Sequence, residues 1–309
     1  MSEPATATTA PDKPESVPGS TKSDPILVVD GIRRAFGGLV AVDVDHLEVE
    51  RNKITALIGP NGAGKTTFFN LITGFDTPNS GSWTYNGEDM GQLPAHRVAL
   101  KGMVRTFQLT KALSRLTVME NMKLGAQNQR GENLFRCFNH RAWRGQENEI
   151  EARADNLLDR FKMDHMRDEF AGNLSGGQRK LLEMARALMT EPALIMLDEP
   201  MAGVNPALTQ SLLGHVKELR DEGRTVMFVE HDMDVVRDIS DWVVVMAEGR
   251  IIAEGTHEEI GSNSDVIDAY LGRDHDAALT IDDENPFATA EPTDSDDTEA
   301  DNDGEGEGR

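Results

Sequence analysis

Residues 59–67 have the types and spacing of a loop that binds phosphate groups. They are Gly-Pro-Asn-Gly-Ala-Gly-Lys-Thr-Thr and match the pattern G-x-x-x-x-G-K-[ST]. Glycine lets backbone N–H groups turn toward the β- and γ-phosphates, because a Cβ atom would clash there. We expect Lys65 to place its charge on these phosphates and the Thr66 hydroxyl to bind Mg²⁺. The loop residues expected to contact the nucleotide are Gly59, Pro60, Asn61, Gly62, Ala63, Gly64, Lys65, Thr66 and Thr67.

A second motif, Leu-Ser-Gly-Gly-Gln at residues 174–178, stands before a run of strong helix formers. Ser175 is a favourable N-cap, so the run predicts a helix whose first N–H groups and positive dipole end form an anion site. The expected contacts are Ser175, Gly176, Gly177 and Gln178. With both motifs, the chain resembles the ATP-binding cassette (ABC) ATPases. The resemblance implies ATP and Mg²⁺ as cofactors.

The anion site at residues 175–178 has no phosphate to bind within its own subunit, since the phosphate loop already holds the nucleotide. The resemblance implies a solution: two subunits pack head to tail, and each signature motif closes on the γ-phosphate held by the other. Two-fold symmetry then produces two composite sites. We expect a homodimer, or a heterodimer with a paralogous ABC ATPase.

Two carboxylates follow an apolar strand-like run at Leu194-Ile-Met-Leu197. Such a run suits a strand buried on both faces of a parallel sheet. Ligands of doubly wound sheets lie at the carboxyl ends of the strands, so Asp198 and Glu199 should emerge at the nucleotide. We expect Asp198 to hold Mg²⁺ and Glu199 to act as the general base for the attacking water.

Four further positions match ABC ATPase motifs in the family's order. Gln108 in Val-Arg-Thr-Phe-Gln matches the glutamine that senses Mg²⁺ and the water, and His231 in Phe-Val-Glu-His-Asp matches the histidine that contacts the γ-phosphate. Phe36 fits the aromatic residue that stacks on adenine. Residues 202–206 occupy the D-loop position. Many ABC ATPases have aspartate where this chain has Asn205, which argues against an acidic role at this position.

The order of elements predicts an α/β fold: a P-loop NTPase (RecA-like) core, an N-terminal antiparallel β subdomain and an inserted α-helical subdomain. Short apolar alternations within residues 25–60 predict the antiparallel sheet, and Asn86-Gly87 and Glu248-Gly249 predict hairpins. We expect a disordered arm at residues 1–24, the ABC ATPase domain at 25–272 with its helical subdomain at about 110–185, and a disordered acidic tail at 273–309. Residues 127–146 resemble an insertion, either a surface loop or part of a partner-binding surface.

Composition restricts the function further. The chain has 309 residues, a formal charge of −23 and a single cysteine, Cys137, so no internal disulfide can form. Residues 273–309 contain 14 acids and two arginines, and therefore carry −12 of that charge. The acidic balance argues against nucleic-acid binding and favours a protein of a high-salt cytoplasm, from a halophilic archaeon. No run is long and apolar enough for a membrane span, so we expect membrane contact only through a partner.

Several stretches resemble the ATPase subunits of branched-chain amino-acid importers, among them Glu199-Pro-Met-Ala-Gly-Val-Asn-Pro206 and Val266-Ile-Asp-Ala-Tyr-Leu-Gly272. The resemblance implies a motor subunit at the cytoplasmic face of the membrane. It would work with two integral-membrane permeases and, indirectly, an external solute-binding protein. ATPases for urea and short amides, the lipopolysaccharide-export ATPase and a non-transport scaffold ATPase are the alternatives. The residues that select the cargo lie outside this chain.

Overall fold

The computed structural model describes residues 17–106, 112–127 and 140–274, with side chains except at 140–143 and 271–274. Several residues and segments named in the predictions lie outside these ranges. These are Gln108, Cys137, the arm at 1–16, the insertion at 128–139 and the tail from residue 275.

A six-stranded sheet, in the order β10-β9-β3-β8-β7-β6, forms the centre of the described chain. Its strands are β3 Ile54–Ile58, β6 Met103–Arg105, β7 Leu194–Asp198, β8 Thr225–Val229, β9 Trp242–Ala247 and β10 Arg250–Gly255. Every neighbouring pair is parallel except β9 and β10, which form the predicted hairpin. The carboxyl ends of β3, β8 and β7 therefore lie side by side at one edge.

This sheet separates two apolar cores. In β3, Ile54, Ala56 and Ile58 belong to one core and Leu57 to the other, because successive side chains of a strand point to opposite faces. β7 and β8 alternate in the same way, and all five residues of each of the three strands are buried. The prediction of a sheet covered on both faces is confirmed.

A second, antiparallel sheet has the order β2-β1-β4-β5. Its strands are β1 Pro25–Phe36, β2 Leu39–Glu50, β4 Ser80–Tyr85 and β5 Glu88–Asp89. The two apolar runs at 39–44 and 47–49 belong to one twelve-residue strand, because the pairing with β1 continues through His46, opposite Asp30. The predicted β4–β5 turn has Asn86 and Gly87 at φ of 50° and 74°, as a type I′ hairpin requires.

The helices of the described chain are α1 Lys65–Ile72, α2 Ala95–Leu100, α3 Val118–Lys123, α4 His140–Arg160, α5 Gly176–Leu188, α6 Pro206–Asp221, α7 Met233–Ile239, α8 His257–Gly261 and α9 Ser264–Asp274. Helices α3, α4 and α5 pack on one another and lie within the predicted helical subdomain. A capping box is present at α3, where Thr117 and Glu120 bond each other's backbone N–H groups. Among the described helices, none is both long and apolar enough to cross a bilayer.

Residues 17–24 overlap the predicted N-terminal arm and make defined contacts with the core. The Gly19 N–H donates to the Glu254 carboxylate at 2.8 Å, and the Lys22 N–H donates to Glu48 at 2.5 Å. The Lys22 ammonium lies 3.5 Å from the centre of the Trp242 ring. This part of the arm is therefore attached to β2, β9 and β10.

Candidate nucleotide site

The phosphate loop connects β3 to α1 and is held from behind by backbone. A Cβ atom on Gly59 would lie 2.0 Å from the Met246 carbonyl oxygen, and one on Gly64 would lie 2.4 Å from that of Ala41. The φ angles of these glycines, 145° and 100°, also exclude most other residues. The loop is thus pressed against β9 and β2, which fixes its curvature.

The Lys65 ammonium folds back onto this loop. It donates to the carbonyl oxygens of Gly59 at 2.6 Å and Pro60 at 3.1 Å. Lys65 and Thr66 open α1, so the helix dipole adds positive potential at the same place. The arrangement suits an anionic group such as the β- and γ-phosphates of a nucleotide.

Asp198 and Glu199 stand where β7 ends. Asp198 is 5% exposed and aligns with Val229, the last residue of β8. Glu199 has a φ of 47°, a conformation that is rare outside glycine, and its N–H donates to the Val229 carbonyl at 3.0 Å. The structure therefore brings both carboxylates to the sheet edge at which the phosphate loop begins, as the sequence predicted.

Arg105, at the end of β6, was not singled out from the sequence although it lies in the Val-Arg-Thr-Phe-Gln stretch. Its guanidinium lies 2.6 Å from the Asp198 carboxylate, and it also donates to Asn70 of α1 at 2.7 Å. The buried acid at the end of β7 gave the available signal, because a buried carboxylate requires a cation or several hydrogen bonds.

His231 follows β8, the neighbour of β3, so it lies at the same edge as the phosphate loop. Its side chain is 66% exposed. The preceding Glu230 is 1% exposed, and its carboxylate accepts the N–H groups of Met201 at 2.9 Å and His231 at 3.4 Å. Burial raises the pKa of Glu230, whereas these N–H groups and the His231 charge oppose the shift. Glu230 was also missed from the sequence.

The signature motif, residues 174–178, opens α5 as predicted. Ser175 accepts the Gln178 N–H and Gln178 accepts the Ser175 N–H, which completes a capping box on an exposed helix end. Gly177 packs against α6, since a Cβ atom there would lie 2.1 Å from the Leu208 side chain. Gly176 and Gly177 thus leave an accessible helix N-terminus that suits an anion.

Asn205, at the D-loop position, caps α6. Its side-chain oxygen accepts the Leu208 N–H at 2.9 Å, and Pro206 occupies the first helical position. Asparagine performs this capping role as well as aspartate does. The structure therefore gives the substitution noted in the sequence a conformational explanation that needs no acid.

Phe36 ends β1 and is 50% exposed. The Arg34 guanidinium lies 4.7 Å from the centre of its ring, and Arg34 is itself held by Asp76 at 2.8 Å. One side of the ring is thus supported by a cation. A supported, accessible aromatic ring suits stacking on a base.

The described residues fit Mg²⁺ and a nucleoside triphosphate by their chemistry. Thr66 and Asp198 supply hard oxygen ligands, which Mg²⁺ prefers. One Asp198 oxygen, Oδ2, receives the Arg105 hydrogen bond, and a carboxylate has a second oxygen for another partner. The glycine-lined loop and Lys65 provide the complementary phosphate site.

Comparison with known protein families gives two matches. Residues 42–202 match the sequence model of the ABC transporter family, and residues 250–276 match that of the branched-chain amino acid ATP-binding cassette transporters. The chain belongs to the ABC transporter ATP-binding family. As a member, it is an ATP-hydrolysing subunit, and the α/β fold predicted from its sequence is confirmed.

Individual relatives agree with this assignment. The probable branched-chain amino acid transport ATP-binding protein LivG of Archaeoglobus fulgidus is 42% identical over 80% of this chain and 95% of its own length. The high-affinity branched-chain amino acid transport ATP-binding protein BraF of Pseudomonas aeruginosa is 43% identical over 81% and 99%. The ADP conformation of MJ1267, an ATP-binding cassette of an ABC transporter, superposes with a TM-score of 0.70 at 38% identity, covering 81% of this chain and 100% of its own.

Proposed function

We propose that this ABC ATPase drives an importer for branched-chain or other amino acids. The match of residues 250–276 to the branched-chain amino acid cassette model carries the proposal. It covers α9, which lies outside the phosphate-binding motifs that all such ATPases need. The relatives from Archaeoglobus and Pseudomonas, both named for branched-chain amino acid transport, support the same cargo.

ATP binding closes two copies of the chain, or one copy and a paralogous ATPase, into a head-to-tail dimer. The phosphate loop and Lys65 bind the β- and γ-phosphates, and Phe36 stacks on adenine. The exposed N-terminus of α5 in the other copy supplies N–H groups to the γ-phosphate. The nucleotide then bridges two surfaces, so its binding energy favours the closed state.

Hydrolysis reopens the dimer. Glu199 and Gln108 orient the attacking water. As the water oxygen bonds to the γ-phosphorus, Glu199 accepts a proton from the water, and the bond between that phosphorus and the β–γ bridging oxygen breaks. Lys65, His231 and the α5 N-terminus stabilise the charge on the phosphoryl oxygens. Thr66 and Asp198 would hold Mg²⁺, which would neutralise part of the phosphate charge. ADP and phosphate bridge the two copies less strongly than ATP does.

An open groove offers a place for the permeases. It has a volume of about 500 Å³ and lies between α2 and the helical subdomain. Leu100 and Leu124 line it and are 51% and 56% exposed, respectively. Arg105 and Thr106 line it as well, so the groove borders the chain that leads to Gln108. We propose that each groove receives a cytoplasmic loop of a permease, which places the ATPase at the inner membrane face.

The Glu199→Gln variant tests the motor. It should bind ATP but not hydrolyse it, and therefore accumulate as a closed dimer on size-exclusion chromatography. Capture of this variant from native membranes with ATP, in molar KCl to suit the acidic chain, should bring two multi-span permeases, identified by mass spectrometry. Near-normal turnover would contradict the base role of Glu199, and capture of only soluble proteins would favour a scaffold ATPase.

The cargo requires a separate measurement. The captured permeases and the wild-type ATPase, reconstituted in proteoliposomes with the solute-binding protein, should transport labelled leucine, isoleucine or valine when ATP is supplied to the ATPase side. Transport of urea in place of these amino acids would assign the chain to the amide importers. Outward movement of lipid would assign it to export.

A further inference from the structure

Lys180, in the second turn of α5, reaches out of its own helix. Its ammonium donates to three backbone carbonyl oxygens, those of Glu199 at 3.2 Å, Pro200 at 3.1 Å and Ala202 at 2.5 Å. These residues form the turn that follows β7. Three carbonyls around one ammonium fix both the position and the orientation of that turn.

The same turn is held from its other side by Glu230. The Glu230 carboxylate accepts the Met201 N–H with one oxygen and the His231 N–H with the other. The Glu199 N–H in turn donates to Val229, which directly precedes Glu230. A single buried carboxylate therefore joins the turn after β7 to the segment after β8.

Lys180 and Glu230 thus act on opposite polar groups of one turn, residues 199–202. Lys180 donates to three carbonyl oxygens of the turn, and the Glu230 carboxylate accepts the Met201 N–H. Pro200 has no N–H, and the Ala202 N–H is already used by the Glu199 carbonyl. The turn carries Glu199 at a φ of 47°, so its conformation depends on these outside contacts.

We propose that Lys180 and Glu230 are positioning residues that link the signature helix α5, through the turn 199–202, to Glu199 and His231. When α5 shifts on contact with the γ-phosphate of the other copy, the Lys180 ammonium moves the turn, and Glu230 carries the movement to the His231 backbone. The proposal rests on the proposed function, because it assumes that Glu199 and His231 act on ATP. It adds a physical route by which dimer closure at α5 positions Glu199 and His231.

A purely stabilising role for Lys180 and Glu230 is disfavoured by the free energy needed to remove each charge from water. Burial lowers the pKa of Lys180, although the Glu230, Glu183 and Glu199 carboxylates oppose this, and burial raises the pKa of Glu230. Removing charged groups from water is unfavourable, so stability alone does not explain these two side chains. In return, the two side chains define the geometry of the turn 199–202 and of the His231 backbone.

The test compares Lys180→Met with Lys180→Arg in the full-length chain. The Met variant keeps the aliphatic stem but cannot donate, whereas Arg retains donors for the carbonyls. For Lys180→Met we expect ATP turnover at saturation to fall by about tenfold to a hundredfold, the range that small misplacements of catalytic groups produce. Binding of the fluorescent analogue mant-ATP should stay within about twofold, since the phosphate loop is untouched. Lys180→Arg should recover most of the turnover.

Coupling between the two residues is tested by a double-mutant cycle with Glu230→Gln. Glutamine can accept the Met201 N–H but cannot accept with both head-group atoms, so the His231 N–H loses its partner. If both residues act through one turn, Lys180→Met/Glu230→Gln should lose no more turnover than the worse single variant. Multiplicative losses, or Lys180→Met turnover within about twofold of wild type, would overturn the proposal.

Two controls make the result interpretable. Lys123→Met removes an ammonium that bonds Glu151 on α4, away from the turn, and should leave turnover unchanged. Thermal melts monitor folding, and Glu230→Gln carries the test if Lys180→Met does not fold, since it should lower turnover at saturation while mant-ATP binding stays within about twofold. Glu199→Gln separates the two proposals: if it hydrolyses ATP normally, the base role proposed for Glu199 fails, whereas an inactive Glu199→Gln beside a fully active Lys180→Met overturns only the link.

Discussion

Arg105 and Asp198 form an ion pair of 2.6 Å whose side chains are only 4% and 6% exposed. Arg105 lies on β6, and the same guanidinium reaches Asn70 on α1. The acid expected to hold Mg²⁺ is therefore oriented by a cation whose strand leads toward Gln108. We infer that Arg105 holds the Asp198 carboxylate in place when no nucleotide is bound.

Replacing Arg105 by methionine should destabilise the nucleotide-free protein. The substitution leaves a buried carboxylate without its cation, for which about 3–5 kcal/mol of unfolding free energy is the usual loss. The measurement is equilibrium denaturation in urea without nucleotide. Arg153→Met is the matched control, because Arg153 pairs with Glu191 at a site where both side chains are exposed. We expect it to cost no more than about 1 kcal/mol, and equal losses for the two variants would contradict the role given to Arg105.

Phe36→Ala should weaken nucleotide binding without changing the fold. Loss of a base-stacking ring costs about 1–3 kcal/mol of binding free energy, so the dissociation constant of mant-ATP should rise accordingly. The Phe36 ring is already half exposed, so the unfolding free energy should change little. Lys65→Ala serves as the positive control, since it removes the charge from the phosphate loop.

Phe170→Ala is the matched negative control for Phe36. Phe170 is 54% exposed, close to the 50% of Phe36, but lies in the helical subdomain. Its removal should leave the mant-ATP dissociation constant unchanged. Equal affinity for Phe36→Ala and wild type would show that adenine stacks elsewhere.

Leu124→Asp should separate ATP chemistry from permease binding. The substitution replaces an apolar side chain of the groove by a charged one, whereas the phosphate loop and the turn after β7 remain intact. We expect mant-ATP binding and ATP-driven dimerisation in the Glu199→Gln background to persist, and capture of permeases from membranes to be lost. Leu113→Asp is the control, because Leu113 is 50% exposed and does not line the groove. Permease capture by Leu124→Asp at the wild-type level would remove the groove from the proposal.

The sequence predicted the elements whose signals are local. Apolar runs fix β3, β7 and β8 because strands buried on both faces have no polar positions. Asn86-Gly87 and Ser175 determine a turn and a helix start through their own backbone preferences. These strands place Asp198 and His231 at the sheet edge where the phosphate loop begins. This part of the candidate site could therefore be predicted from the sequence.

Long-range polar contacts could not be predicted in this way. Arg105 meets Asp198 across 93 residues of chain, and Met201 meets Glu230 across 29. Nothing in the composition of either segment identifies the partner. Sheet order decides such contacts, since β6 lies beside β7 and β7 beside β8 only in the folded chain. The full length of β2, Leu39–Glu50, could not be predicted for a related reason: its polar residues pair with β1, which the local alternation of apolar residues does not report.

Glu254, on β10, joins the N-terminal segment to the core. Its carboxylate is buried and accepts hydrogen bonds from the Gly19 N–H, the Ser20 hydroxyl and the Trp242 indole, while Lys22 lies 3.9 Å away. Burial raises the pKa of Glu254 above its ordinary 4.5, although these donors and the Lys22 charge oppose the shift. The folded chain therefore holds this proton more tightly than the unfolded chain does.

Glu254→Gln should consequently flatten the pH dependence of stability. A raised folded-state pKa contributes unfolding free energy that is fully present below pH 4.5 and is lost as the pH rises through the folded value. Wild type should thus lose more stability than the Gln variant as the pH is raised from about 4.5 to neutrality, as urea denaturation at each pH will measure. Ser20→Ala is the matched control: it removes one hydrogen bond but keeps the carboxylate, so it should lower stability slightly and retain the wild-type slope. Parallel pH profiles for wild type and Glu254→Gln would mean that the Glu254 carboxylate is fully compensated by Gly19, Trp242 and Lys22.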